Sequence, residues 1–482
     1  MQRRKNGSSG ARRVIATAML TALTGCVVGP NYHVPSAPVP AAFSGATGGA
    51  AAATPADAIA DGRWWKVFND PELDDLESQT DLANQDIKIA VAHVDEAAAL
   101  TGIARSNLVP TVSATPSVSR NREAQDRPNN GNTGGRAATY NDFQLPLVVN
   151  YELDVWGRVR RSLEAARATQ QATEADLKFV RLATEATTAM DYYNLRETDQ
   201  ELGVLDRMLD DLQQGLNLTT FRFQHGLSGD LEVAQAKTLL EQTAAQKQAL
   251  LIQRAQLEHA LAVLLGRPVE SLSIATLPDN PTPPEIPVGL PADLLKRRPD
   301  ISEADRNVAA ATARIGVAKA QYFPQLSLTG LLGFESVNAA TLTHWQNSIT
   351  SLGLSATAPI FTGGRLRAQV DQAQATYRDT LAQYEKTVLI SYQEVEDQLS
   401  ALRFLSDQSR LQALAVADAA RVEQIATQRY KGGLVSYLDV VVAQQSLLSN
   451  ERVSAQIAAL RMTASVVLIK ALGGGWAGTG TP

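Results

Sequence analysis

Few side chains in this 482-residue chain stand at the spacings that chemistry needs. The five histidines, His33, His93, His225, His259 and His344, are scattered, with no H-E-x-x-H and no pair at i, i+4, so no metal site is expected. Neither a G-x-S-x-G elbow nor a Walker-type phosphate loop occurs, and no enzyme activity or cofactor is expected. What remains is one thiol, Cys26, and two glycine-containing segments, each followed by carboxylates. Gly226-Leu227-Ser228 precedes Asp230, Leu231 and Glu232; Gly433-Leu434-Val435-Ser436 precedes Leu438 and Asp439. Carboxylates ringing a narrow opening repel one another and attract cations. The competing reading is an ordinary solvated helix end.

A single cysteine excludes both a disulfide framework and a cysteine-ligated zinc site. Arg3, Arg4, Lys5, Arg12 and Arg13 precede a ten-residue apolar run from Val14 to Leu23, the pattern of a signal peptide covering residues 1–25. Leu23-Thr24-Gly25-Cys26 resembles the lipobox of bacterial lipoproteins, in which the new N-terminal cysteine carries acyl chains such as palmitate. Val27 in place of Asp, by the same resemblance, favours the outer membrane. Cleavage removes five basic and no acidic residues, leaving 39 Lys+Arg against 50 Asp+Glu, a formal charge of −11. Such a balance argues against a nucleic-acid partner. Beyond Leu23 no run approaches 18 apolar residues, so any membrane-crossing part is expected to be β.

Two proline-free stretches of near-equal length, Leu147–Arg267 and Ile360–Thr481, flank a cluster of Pro278, Pro281, Pro283, Pro284, Pro287, Pro291 and Pro299. Their equality is a repeat. A shift of 207 places Gly157-Arg158-Val159-Arg160 on Gly364-Arg365-Leu366-Arg367 and Leu265-Gly266 on Leu472-Gly473 without a gap. Further upstream the shift is 214, pairing Arg105 with Lys319 and Pro110 with Pro324, so the first half carries a seven-residue insertion before Gly157. The expected organisation is a signal peptide at 1–25, an extended strap at 26–60, a first repeat at 61–270, a Pro-rich linker at 271–300, a second repeat at 301–474 and a tail at 475–482.

Positioning falls to two kinds of element. From Leu366 the apolar residues Val370, Ala373, Tyr377, Leu381, Tyr384, Val388, Tyr392 and Val395 recur at the α-helical period, and continuation to Lys431 makes a helix roughly 100 Å long. Its counterpart runs from Arg158 to about Gln224, and each helix turns at glycines into a second apolar segment, giving hairpins over 158–266 and 365–473. Before each hairpin the period changes to two: Phe143, Leu145, Leu147, Val149, Tyr151 and Leu153 alternate with polar neighbours. Four strands are expected, at 111–120, 139–155, 325–335 and 349–361, of a length that suits a bilayer crossing. Four strands cannot close a barrel alone; a dimer, trimer or tetramer would supply 8, 12 or 16, and the arithmetic does not choose. A soluble four-stranded sheet beside a bundle stays open as an alternative.

The motifs Cys26-Val27-Val28-Gly29-Pro30-Asn31-Tyr32, Trp64-Trp65-Lys66-Val67-Phe68-Asn69-Asp70-Pro71, Tyr151-Glu152-Leu153-Asp154-Val155-Trp156-Gly157-Arg158, Leu294-Leu295-Lys296-Arg297-Arg298-Pro299-Asp300-Ile301 and Phe361-Thr362-Gly363-Gly364 follow one another in that order. Together they resemble the TolC-like outer membrane factors, specifically the lipid-anchored NodT/OprM-type efflux lipoproteins. The resemblance implies a mainly α fold with membrane β: a homotrimer whose shared 12-stranded barrel spans the outer membrane and continues into a periplasmic α-barrel of long helical hairpins. It implies a periplasmic adaptor (membrane fusion protein) and an inner-membrane pump of the RND type as partners, and export of small molecules such as drugs, the setting of multidrug resistance. It assigns adaptor docking to Gly226, Leu227, Ser228, Gly433, Leu434 and Ser436, although His225 and Gly432 stand where family turns carry Val. It assigns a periplasmic gate to Leu231 and Leu438 with Asp230, Glu232 and Asp439 nearby, although Val442 replaces a pore-closing Asp of some members. A duct for protein secretion or metal ions, and a non-conducting envelope lipoprotein, are the alternatives; the exported substrate is not written in the chain.

Overall fold

The computed structural model describes residues 27–37, 39–40, 43, 62–124, 139–277, 283–284, 286 and 291–474. The expected signal peptide, Cys26, most of the strap and the tail 475–482 lie outside the described residues. In chain order the helices and strands are α1 (Pro71–Ala83), α2 (Gln85–Ser106), β1 (Thr111–Ala114), β2 (Ser117–Arg122), β3 (Thr139–Leu153), α3 (Arg158–Gln224), α4 (Asp230–Leu264), α5 (Pro291–Arg297), α6 (Pro299–Ala320), β4 (Gln325–Ser336), β5 (Ser348–Thr357), α7 (Arg365–Lys431) and α8 (Tyr437–Ala471).

The repeat is carried into the helical hairpins without a change of length. Helices α3 and α7 each have 67 residues, and α4 and α8 each have 35. Equivalent polar groups close the ends of the return helices: Asn84 Nδ2 donates to the Leu264 carbonyl at 2.9 Å, and Arg298 Nη1 donates to the Ala471 carbonyl at 3.0 Å. Without these donors the last carbonyls of α4 and α8 would lose a partner. Arg298, one of the motif residues read from the sequence, is buried and also bonds Asp300 and Glu394, so its role is structural.

Contacts divide the chain into two compact units, Met1–Pro35 with Asp95–Ala172 and Ala304–Gln383, and Ser36–Val94 with Thr173–Glu303 and Tyr384–Pro482. Each unit draws on both repeats, so the expected division at the Pro-rich linker is a boundary in sequence and not in the fold. The reason in the first unit is strand pairing between repeats.

The first unit holds one antiparallel sheet in which β1 and β2 both pair with β3, β3 with β4, and β4 with β5. The expected strand at 111–120 is two strands, because Pro116 between them has no N–H to donate to the ladder. Five strands therefore occupy four positions across the sheet. The register Leu147↔Leu332 and Leu332↔Thr350 keeps the alternation in phase, so Val112, Leu145, Leu147, Leu332, Leu352 and Leu354 share one face. That face is apolar and exposed, while Gln144, Asn150, Glu152, Ser327, Thr329 and Ser355 lie on the other. At the end of β3, Asp154 accepts the N–H groups of Val159 and Arg160 at 2.9 Å each and so caps α3.

The second unit contains two apolar clusters. One gathers Trp64, Leu73, Leu76, Tyr192, Leu261, Val466 and Ile469 around the start of the chain's described helices. The other gathers Leu205, Leu212, Ala236, Tyr430, Tyr437 and Val440. Beside the first, Arg196 is buried and held through its terminal nitrogens: it reaches Glu72 at 2.6 Å, Asp199 at 3.2 Å and the Ala275 carbonyl at 2.6 Å. The expectation that no helix would be apolar enough to cross a membrane is corrected for α8, whose most apolar window reaches a mean hydropathy of 1.3. Interspersed Ser, Gln and Thr break its run of apolar residues, which hid it from a count of consecutive positions. Its Met462, Val466 and Ile469 belong to the first cluster, which gives the apolar side a packing role.

Candidate functional site at the hairpin turns

Both hairpin turns lie in the second unit and are built alike. At the end of α3, Leu227 N donates to the Arg222 carbonyl at 2.7 Å and Gly226 N to the Phe223 carbonyl at 3.0 Å. At the end of α7, Leu434 N donates to the Arg429 carbonyl and Gly433 N to the Tyr430 carbonyl, each at 2.9 Å. This double bond pattern needs a left-handed residue at the turn, and Gly226 and Gly433 supply it at φ 69° and 72°. Leu227 and Leu434, next in sequence, are exposed, as are Gly226, Gly433 and Ser436, whereas Ser228 is half-buried.

The residues expected to gate separate into four cases. Leu231 and Leu438 are 70% and 51% exposed at the starts of α4 and α8, and Val442 is exposed as well. Asp230 is exposed in the first turn of α4, where the helix dipole favours a negative charge. Asp439 is committed locally: its Oδ2 accepts Ser436 N at 3.1 Å and Ser436 Oγ at 2.9 Å, a capping box that fixes the start of α8. Glu232 is instead joined to the other hairpin, accepting the Tyr430 hydroxyl at 2.7 Å.

That bond belongs to a tie the sequence reading missed. Arg222, from the first hairpin, donates Nη1 to the Tyr430 carbonyl at 3.0 Å, and its guanidinium lies 4.8 Å from the Tyr430 ring centre. Tyr437 packs edge-on against Tyr430 at 5.2 Å, and both rings are buried. Burial, then the bond to Glu232, pushes the Tyr430 hydroxyl far above its ordinary pKa, so it stays a donor. A signal was present: at the 207 shift Tyr430 stands on Phe223 and Tyr437 on Asp230, so both hydroxylated rings are departures from the repeat. Among the described residues no group of three His, Cys, Asp or Glu converges to hold a metal. The turns offer exposed apolar side chains for a partner and a breakable polar tie between hairpins, and no group placed for bond-making chemistry.

Residues 76–267 and 290–474 match the family described as outer membrane efflux protein. This chain belongs to that family. Pyoverdine export outer membrane protein OpmQ of Pseudomonas aeruginosa is 35% identical over 422 residues, covering 86% of this chain and 87% of the relative. The probable efflux pump outer membrane protein TtgC of Pseudomonas putida is 32% identical, covering 94% and 93%. Among solved structures, the CmeC outer membrane channel of Campylobacter jejuni superposes with a TM-score of 0.89 at 27% identity, covering 95% of this chain and 96% of that one. As an outer membrane efflux protein, the chain is the outer membrane channel component of an efflux system, with a TolC-like fold.

Proposed function

We propose that three copies close their sheets into a 12-stranded barrel in the outer membrane and form a duct that carries small molecules from a periplasmic adaptor and an inner-membrane pump to the exterior. The observation that carries this reading is the exposed apolar face of a sheet whose two edges, β5 and the β1/β2 position, have no further strand partner among the described residues. Four strand positions alternate in direction, so β5 of one copy meets β1/β2 of the next antiparallel, and closure leaves no edge in lipid. The polar face then lines the lumen. An acylated Cys26 adds a lipid anchor, and a pump of the RND type fits export of organic compounds of the kind that the relatives' names describe.

The periplasmic end of the duct is closed at the hairpin turns. In this reading the exposed Leu231 and Leu438 narrow the opening, Asp230, Glu232 and Asp439 set its charge, and the Arg222–Tyr430–Glu232 tie holds the two hairpins of a copy together. Gly226, Leu227, Ser228, Gly433, Leu434 and Ser436 form the surface that the adaptor meets. Because Asp439 caps α8, Asp439→Ala would remove a structural bond together with the charge; Asp439→Asn keeps most of the cap. The test is planar-bilayer conductance of the full-length protein, comparing wild type with Leu438→Ala and Asp439→Asn. A nearly silent wild type and a conducting variant support the duct and its gate. Silence of every variant, in a verified oligomer, would overturn both.

A further inference from the structure

In the first unit a cleft of about 470 Å³ lies between the N-terminal segment, α3 and α6, lined by Tyr32, Arg160, Leu163, Arg167, Arg306 and Ala309, among others. Arg160, Leu163, Arg167 and Gln171 lie three to four residues apart and so share one face of α3. We infer that this cleft is a binding site for the phosphodiester headgroup of an anionic phospholipid in the periplasmic leaflet, with Arg160, Arg167 and Arg306 as its cationic lining.

Charge supports an anion. Arg160 pairs with Asp154 at 3.1 Å, Arg161 with Glu164 at 2.7 Å, and Arg306 with Asp305. Arg167 is exposed and has no carboxylate partner among the described residues. Four guanidiniums against three carboxylates leave one positive charge, which a phosphodiester monoanion balances. Arginine's fork of N–H donors matches phosphate oxygens two at a time. Arg306 is held for such a contact, its guanidinium stacked 5.1 Å from the Tyr32 ring centre.

The floor supports a lipid over a free anion. Ala168, Ala309 and Ala310 form a buried apolar cluster with Tyr32 packed on it, and Leu163 beside them is buried. A headgroup phosphate at the arginines would lay the first methylenes of an acyl chain on that floor. Depth agrees as well. Trp156, its indole donating to the Pro324 carbonyl at 2.8 Å and its ring stacked on Phe323 at 4.8 Å, marks the end of the sheet. Paired aromatics of this kind favour the membrane–water interface, and Arg160 lies about one helical turn beyond, at the level of headgroup phosphates. The N-terminal segment is seated there by Val28 N on the Trp156 carbonyl at 3.1 Å and by Arg161 on Asn31 at 2.7 Å. The inference rests on the reading that the sheet crosses the outer membrane.

Native mass spectrometry of the full-length, detergent-purified protein tests it, with phosphatidylglycerol, phosphatidylcholine, glycerophosphoglycerol and inorganic phosphate as probes. The expected result is one retained phosphatidylglycerol per chain, bound about tenfold more tightly than phosphatidylcholine, which carries the same phosphodiester but adds a quaternary ammonium that the arginines repel. Arg167→Glu should abolish the preference, and Arg367→Glu, the same charge change on α7 outside the cleft, should leave it intact. Retention unchanged in Arg167→Glu, or equal binding of the deacylated headgroup or inorganic phosphate, overturns the lipid site. Bilayer conductance of the wild type and Leu438→Ala separates the two readings: silence of both with intact lipid selectivity sinks the duct and leaves the site, whereas a conducting Leu438→Ala protein without lipid selectivity does the reverse.

Discussion

Glu185→Gln should stabilise this protein, and more so the higher the pH. Glu185, on α3, is buried and accepts the Trp64 indole N–H at 2.9 Å. Burial pushes its pKa from 4.5 up to about 7, against the lowering effect of the Trp64 bond, and Asp81 adds to the rise while Arg181 opposes it. Glu77, on α1, is wholly buried, and neither of its carboxylate oxygens has a hydrogen-bond partner. Burial first, then Glu185 and Asp81, raise the Glu77 carboxyl well above its ordinary value. A carboxyl whose folded pKa is raised binds more protons in the folded state than in the unfolded chain between the two values. Its contribution is therefore favourable at pH below 4.5 and is lost as pH climbs to about 7. At roughly 1.4 kcal/mol per pKa unit, the loss for Glu185 comes to about 3 kcal/mol, complete above its folded value. Glutamine keeps the acceptor for Trp64 and removes the titration. Thermal unfolding of the detergent-solubilised protein, followed by circular dichroism, should show wild type and variant nearly equal near pH ~4.5 and the variant clearly more stable near pH ~8.5. A pH-independent difference, or a variant less stable than wild type under alkaline conditions, would refute the reasoning.

Three further outcomes follow from the geometry. Tyr430→Phe removes the donor to Glu232 while keeping the ring against Arg222 and Tyr437; single-channel recording should show a larger open conductance, since one of the two hydrogen bonds described between the hairpins is gone and the Arg222 bond to the Tyr430 carbonyl remains. Gly473→Ala would place a Cβ 2.4 Å from the Arg297 carbonyl oxygen on a residue at φ 92°, and should cost a few kcal/mol, seen as loss of folded protein in the membrane fraction. Arg298→Met leaves the Ala471 carbonyl and the Asp300 and Glu394 carboxylates without their shared donor; about 3 kcal/mol of lost stability is expected, measurable as a lower unfolding temperature.

The long helices were legible because the features that bound them are local. Glycines end α3 and α7, serine and aspartate open α8, and the 3.6-residue period runs between without a proline. The repeat offset predicted equal lengths in the two halves, since a shared offset leaves no room for a different helix. The break in the first strand was also written in the chain, at Pro116, but alternation on either side concealed it. What could not be read were the pairings that depend on distant segments: Tyr430 with Glu232, Arg196 with Glu72, Trp64 with Glu185. No spacing in the sequence distinguishes an acid that will face water from one, like Glu77, that packing will strip of it. The acids named as gate residues also carry bonds of their own, Asp439 in the cap of α8 and Glu232 with the Tyr430 hydroxyl.

The pairing of β3 with β4 orders events during biogenesis. As the chain is delivered from its N-terminus, β1 and β2 can find β3 at once, but Leu147 must wait for Leu332, which arrives only after the whole first hairpin and the Pro-rich segment. In that interval β3 presents a long unsatisfied edge beside an apolar face, the most aggregation-prone arrangement a strand can adopt. Closing so large a loop is slow. Truncation after the first hairpin is therefore expected to yield an aggregated, chaperone-bound or degraded product rather than a folded one.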